Sequence, residues 1–179
     1  MSVQESSKAT RRPADERFLE AVLQALPMQM AVLDQNGTIM FVNTAWHSFA
    51  RENGAAALAE TSVGSNYLAI CDQAKGDHSE LAKEALEGIA AVLAGNLPLF
   101  TLEYPCHSPT ELRWFLLYAT PLPGKTGQAV VAHLTITERK LLEERVSAAN
   151  QEMSEFLSLV SHEVRTPLTS LKGYVQMTE

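Results

Sequence analysis

Near the end of this 179-residue chain, Ser161-His162-Glu163-Val164-Arg165-Thr166-Pro167 sets a histidine beside a carboxylate, with a hydroxyl one helical turn further on. A neutral imidazole can present one ring nitrogen to a phosphoryl group while the opposite N–H is held by an acceptor. Glu163 can hold that N–H and take up its proton, which is orienting and general-base work. Thr166 follows His162 by four residues and Glu163 by three, so the three side chains can share one helix face. Pro167 removes a helix hydrogen bond and predicts a bend about one turn beyond the histidine. A helix histidine on its own is ordinarily a solvated surface residue; the flanking pattern is what marks this one as a reaction centre. His162-Glu163 also opens the zinc-protease pattern His-Glu-x-x-His, but position 166 is threonine, so the second metal ligand is missing.

Such a histidine has to be carried on a helix, and the sequence supplies one. Glu138 to Glu155 contains no Gly or Pro and is rich in Glu, Arg, Leu and Ala. Apolar or small residues recur at Leu142, Val146, Ala149, Met153, Phe156 and Val160, with spacings of 4, 3, 4, 3 and 4. That heptad seam predicts a parallel two-stranded coiled coil. The next step, to Val164, is a second 4 in succession, a stutter that straddles His162 and locally unwinds a supercoil. The pattern is still running at Glu179, so the helix is expected to belong to a longer chain.

Upstream, residues 1–14 are polar and aperiodic and predict a loose tail. From Asp15 an amphipathic segment carries Phe18, Leu19, Val22, Leu23 and Leu26 at helical spacing. Two strands, Met28–Leu33 and Thr38–Val42, flank Asp34-Gln35-Asn36-Gly37, whose Asn-Gly step predicts a hairpin turn with positive φ tolerated at both residues. Asn43 and Thr44 can cap a short helix, Ala45 to Glu52, that Asn53-Gly54 stops. Loops and short turns fill Ala55 to about Asp77. Ser79 to Ala94 predicts the longest helix of this region, and strands follow at Phe100–Tyr104, Leu112–Thr120 and Ala129–Ile136. This order predicts an α+β domain over residues 15–136, a five-stranded antiparallel sheet with its helices on one face. A coiled-coil helix follows over 137–155, and a helix carrying the histidine over 156–179.

Composition narrows the function classes. A net charge of -7 leaves no basic surplus to neutralise nucleic-acid phosphates. No apolar run approaches the roughly 20 residues that span a bilayer, and the first residues have no signal-peptide core. Two separated cysteines, Cys71 and Cys106, indicate neither a disulfide framework nor a zinc knuckle, so no metal is expected. A cytoplasmic protein is expected.

Two stretches carry family resemblances. Phe156 to Gly173, FLSLVSHEVRTPLTSLKG, resembles the phosphoacceptor box of bacterial sensor histidine kinases. The resemblance implies that His162 carries the phosphoryl group and that the segment is the first helix of a dimeric bundle. It further implies that Glu163 and Thr166 position the water that dephosphorylates a partner response regulator. A second bundle helix and an ATP- and magnesium-binding domain belong to the family pattern and do not stand in this sequence, so a protein-histidine kinase by family is expected to be inactive as this chain alone. Residues 30–46, MAVLDQNGTIMFVNTAW, and 134–140, LTITERK, resemble a PAS sensor domain and its junction into a coiled coil, with Thr135 where an Asp usually stands. The combined expectation is the sensor portion of a cytoplasmic, homodimeric histidine kinase that relays an intracellular signal to His162 for transfer to a response regulator. The alternative is a non-catalytic PAS dimerisation module.

The ligand is left open. Flavin photochemistry in PAS domains uses an Asn-Cys-Arg motif, and here Tyr67 stands at the cysteine position while Cys71 reads as packed. Haem would want a histidine on the long helix; His78 lies just before it, His107 in a Pro-bounded turn, and His133 on the last strand, where it could face either side. Neither flavin nor haem is expected. Trp46, Tyr67, Phe100, Trp114 and Tyr118 are the aromatic residues that could line a pocket between helices and sheet.

Overall fold

The computed structural model describes residues 13–52, 62–74, 79–107 and 111–176; side chains are described at 15, from 17 to 161 within these ranges, and at 163. Backbone elements run in the order α1 (Pro13–Ala25), β1 (Gln29–Leu33), β2 (Ile39–Val42), α2 (Thr44–Glu52), α3 (Tyr67–Asp72), α4 (Ser79–Leu93), β3 (Phe100–Pro105), β4 (Trp114–Pro121), β5 (Ala129–Thr135) and α5 (Thr137–Gln176). The chain divides into two units, residues 1–136 and 137–179.

In the first unit the five strands form one antiparallel sheet in the order β2-β1-β5-β4-β3, the expected α+β architecture. β5 comes last in sequence among the strands but lies in the middle, between β1 and β4. Alternation decides which side chains meet the helices. On β4, Phe115, Leu117 and Ala119 are buried while Leu116 and Tyr118 point to the opposite face. Leu33, Ile39, Val42, Ile89, Val92, Leu93, Leu117 and Val131 are the larger aliphatic members of the core between sheet and helices.

The β1–β2 turn departs from the expectation of two positive φ angles. Only Gly37 takes one, at 79°, and no non-glycine residue among those described does. The Asp34 side chain explains this. Its Oδ1 accepts hydrogen bonds from the N–H groups of Asn36 (2.9 Å) and Thr38 (2.8 Å), which holds Asn36 in an ordinary conformation and leaves the reversal to Gly37. A register shift between Val32 and Leu33 takes up the extra residue.

Asn43 is fully buried and fixes how α1, β1 and α2 join. Its Oδ1 accepts from Met30 N–H (3.0 Å) and Trp46 N–H (3.1 Å), the latter an N-terminal cap of α2. Its Nδ2 faces the carbonyls of Met28 (2.8 Å), Leu26 (3.3 Å) and Leu23 (3.4 Å), so the end of α1 is tied to the same amide. The stop expected at Asn53-Gly54 and the position of His78 lie outside the described residues.

At Gly88 of α4 an added Cβ would overlap the Phe100 ring, so the glycine lets α4 approach β3 closely. The second unit is one continuous 40-residue helix that runs through Pro167.

Candidate functional site

The first unit holds two adjoining cavities, of about 260 and 330 Å³, between the sheet and α2, α3 and α4. Tyr67, Cys71, Tyr104 and His133 line both, so these four side chains form the wall between them. Local structure explains how each arrives there. Tyr67 opens α3, where Asn66 caps the helix by accepting from Ala69 N–H (2.9 Å). The Tyr67 N–H donates to the Gly37 carbonyl (2.8 Å), and Ile39 N–H to the Ser65 carbonyl (2.9 Å), which laces this segment to the edge of β2. Trp46 projects from α2, with its indole N–H donating to Ser62 Oγ (3.1 Å). His133 and Tyr104 come from β5 and β3 on the helix-facing side of the sheet. Gln29, the cross-strand partner of His133, comes from β1.

The centre of the wall is His133, which is buried. Tyr67 Oη lies 3.1 Å from its Nε2 and Tyr104 Oη 2.7 Å from its Nδ1, so each ring nitrogen faces one hydroxyl. Burial pushes the His133 pKa down to about 4, which keeps the ring neutral near pH 7. Burial also raises both tyrosine hydroxyls above their ordinary range, foremost by desolvation. The Cys71 thiol is pushed up to about 11 by the same cause and stays protonated. The smaller cavity is mainly aromatic and aliphatic, with Trp46, Phe49 and Phe115 around it and no Asp, Glu, Lys or Arg among the described lining residues. Among the described residues no three His, Cys, Asp or Glu side chains are grouped to hold a metal ion.

Of the five aromatics named from sequence, Trp46 and Tyr67 line this cavity and the other three do not. Phe100 is occupied against α4 at Gly88. Trp114 and Tyr118 have the wrong strand parity: Trp114 packs edge-on against His107, 4.7 Å between ring centroids, and Tyr118 is exposed on the opposite face. Tyr104, Gln29, Phe49, Phe115 and the inward orientation of His133 were not anticipated. His107 is exposed, and its Nδ1 accepts from Arg113 N–H at 3.0 Å.

In the second unit His162, Glu163, Thr166 and Pro167 all lie on α5. Glu163 is exposed, and the side chains of His162, Thr166 and Pro167 lie outside the described residues. The helix is reinforced by Arg139–Glu143 (2.9 Å) and Lys140–Glu143 (3.6 Å) ion pairs. Leu142, Val146, Met153, Phe156 and Val160 of the heptad seam are all exposed on it. Among the described residues no helix is long and apolar enough to cross a membrane.

Residues 23–141 match the PAS fold family, and residues 152–179 match the His Kinase A (phospho-acceptor) domain. The chain is 48% identical over 122 residues to an uncharacterized 104.1 kDa protein of Rhodobacter capsulatus, which covers 68% of this chain and 13% of that protein. It is 26% identical over 187 residues to the virulence sensor protein BvgS of Bordetella pertussis, covering 98% of this chain and 14% of that one. The chain thus spans about one seventh of the length of these curated relatives. Among solved structures, the PAS domain of Bordetella pertussis BvgS aligns with a TM-score of 0.50 at 16% identity, over 78% of this chain and 98% of that one. Vibrio cholerae VqmA aligns with a TM-score of 0.50 at 16% identity, over 72% and 55% respectively. These structural likenesses speak to the fold of the first unit. The chain belongs to the PAS fold family, and its PAS domain leads into a segment matching the histidine kinase phosphoacceptor domain, the arrangement of a sensor histidine kinase.

Proposed function

We propose that this chain is the sensing and phosphoacceptor part of a cytoplasmic histidine kinase. Residues 15–136 receive the signal, residues 137–155 carry it as a coiled coil, and residues 156–179 present His162. The observation that carries the reading is continuity. α5 begins at Thr137, immediately after the sheet's central strand, and runs unbroken into the segment that matches the phosphoacceptor domain. Its exposed seam of Leu142, Val146, Met153 and Phe156 supplies the apolar stripe that a second copy would cover, and a dimer brings two copies of His162 into one bundle.

In the transfer step a ring nitrogen of neutral His162 attacks the γ-phosphorus of ATP bound with magnesium on a catalytic domain. The N–P bond forms, the bond to the ADP oxygen breaks, and the ring proton passes to Glu163. The phosphoryl group then moves to the carboxylate of a response-regulator receiver domain, with Thr166 and Glu163 placing the water for its later hydrolysis. A bend at Pro167 and the stutter around His162 give the helix two seams to choose between, which would couple the sensor to the presentation of the histidine.

The test is incubation of the chain with a histidine kinase catalytic domain and γ-labelled ATP. Acid-labile, base-stable label on the wild type and none on His162→Gln is the expected result. A wild-type chain that takes no label would instead leave a non-catalytic PAS dimerisation module.

A further inference from the structure

At the turn from β3 to β4 a side chain takes the place of a backbone acceptor. Pro105, the last residue of β3, pairs with Trp114, the first of β4. Just beyond that pair, Cys106 N–H donates to the Arg113 carbonyl at 2.9 Å, and Arg113 N–H donates to His107 Nδ1 at 3.0 Å. A backbone amide can only donate, so Nδ1 has to be the bare nitrogen and the His107 ring has to be neutral for this bond to exist. The same ring stands edge-on to the Trp114 indole, with 4.7 Å between centroids. The charged groups of the turn are Glu111 and Arg113, which face each other at 3.8 Å, and the Arg113 guanidinium lies 5.5 Å from the centre of the Phe49 ring of α2. Ser108, Pro109 and Thr110, between His107 and Glu111, carry no charge.

Trp114 also carries the link to the exit from the sheet. Its carbonyl accepts from Ile136 N–H at 2.8 Å. Ile136 is buried and is the one residue between the end of β5 at Thr135 and the start of α5 at Thr137. A short chain of contacts, from His107 to Arg113 and Trp114 and on to Ile136, therefore ends at the residue from which α5 departs. Imidazole side chains change their charge between about pH 5 and 8. Once Nδ1 takes a proton, its N–H and the Arg113 N–H are two donors pointing at each other, and the bond is lost. His107 is exposed, so protons reach it from solvent without any opening of the core, whereas buried His133 is held neutral down to about pH 4. We infer that His107 is a proton-operated clasp on the exit from the sheet: neutral, it holds the first residues of β4, whose Trp114 carbonyl fixes the Ile136 amide, and protonated, it releases them. As a structural device the clasp stands without the kinase reading; as a means of making the presentation of His162 follow pH, it rests on that reading.

The test is an NMR titration of the 15N-labelled full chain from about pH 8 to 5. It follows the histidine ring nitrogens, the Trp114 indole N–H and the amides of Arg113, Ile136 and Thr137. In the wild type these signals are expected to move together, at the midpoint of the His107 ring. His107→Asn puts a side-chain oxygen in the place of Nδ1, an acceptor that no proton claims in this window. Its Arg113, Ile136 and Thr137 amides should hold their high-pH positions throughout. His107→Phe keeps a ring beside Trp114 but has no acceptor, and should show the released positions at every pH. Its Arg113 amide should exchange with solvent roughly tenfold faster than that of His107→Asn at the same pH. His47, His78, His133 and His162 remain in both variants, so a response carried by any of them survives in His107→Asn. That survival, or wild-type Ile136 and Thr137 amides that do not follow the His107 midpoint, would overturn the inference. The wild-type titration decides on its own if a variant misfolds. No phosphoryl transfer is measured, so a chain whose exit residues follow His107 but that takes no phosphate keeps the clasp and loses the kinase reading. A chain that is phosphorylated while those residues ignore the His107 midpoint does the reverse.

Discussion

The two units of this chain are stabilised in opposite ways. The PAS unit hides its apolar residues in its own core and ties its buried polar groups to one another, as Asn43 does for α1, β1 and α2. Among its described residues the helix α5 hides little: Leu142, Val146, Met153 and Phe156 are exposed along it, and its side-chain contacts include ion pairs and hydrogen bonds one turn apart, such as Arg139–Glu143 and Gln151–Glu155. Surface pairs of that kind add little, roughly a few tenths of a kcal/mol each. A single helix with an uncovered seam is an element that gets its stability from whatever it meets, whereas the PAS unit carries its own. The first is suited to keeping a shape around a cavity, the second to changing partners or register.

Substitutions can separate these two kinds of stability. The largest effect belongs to His162→Gln, which should abolish phosphorylation while leaving thermal unfolding of the PAS unit unchanged; a shifted PAS transition would mean the histidine is also structural. Next is Asn43→Ala, expected to cost about 3–4 kcal/mol in urea unfolding, because it orphans the Met30 and Trp46 amides and the Met28 carbonyl together. Mutating the exposed Val146 to alanine should cost the isolated monomer well under about 1 kcal/mol, and lower dimer affinity instead.

Acid should act on the PAS unit through His133. Its folded pKa lies near 4, below the ordinary 6.5, so the unfolded chain takes up the proton first. The stability from the neutral ring is complete above pH 6.5 and declines as pH falls to about 4, by up to about 3 kcal/mol. His133→Gln should flatten that slope in urea midpoints measured across the window; an unchanged slope would assign the acid sensitivity to other groups. A more modest loss than that of Asn43→Ala is expected at Gly88→Ala. Overpacking against Phe100 outweighs the gain in helix propensity by about 1–2 kcal/mol, and Phe100→Leu in the same chain should recover most of it.

How far the sequence could be read differs between the units for a related reason. A lone amphipathic helix writes its seam directly into residue spacing, so the start of α5 near Thr137 and the row of exposed seam residues were legible. The five strands and the long helix α4 were legible too, from their apolar runs and the flanking Gly, Pro and Asn. Parity was not. β5 is a middle strand with apolar residues on both faces, so Val130, Val131 and Ala132 give no alternation from which to orient His133. On β4 the buried Phe115, Leu117 and Ala119 stand between Trp114, Leu116 and Tyr118, and choosing the larger aromatics selected the wrong face. The β1–β2 turn was placed correctly, but its φ angles followed from a carboxylate two residues earlier than the Asn-Gly step. Gln29 and Tyr104 could not be found without knowing that β1, β5, β4 and β3 are neighbours in that order.

The place of β5 has a mechanical consequence. A strand at the edge of a sheet can be peeled away one hydrogen bond at a time, but β5 is bonded along both sides, to β1 and to β4. The residues that lead into α5 are therefore anchored at the stiffest line of the sheet. Tension or torque arriving through the helix meets two ladders loaded in parallel before any strand can detach. Fraying of the sheet should begin at β2 and β3, with the β5 amides the last to exchange with solvent.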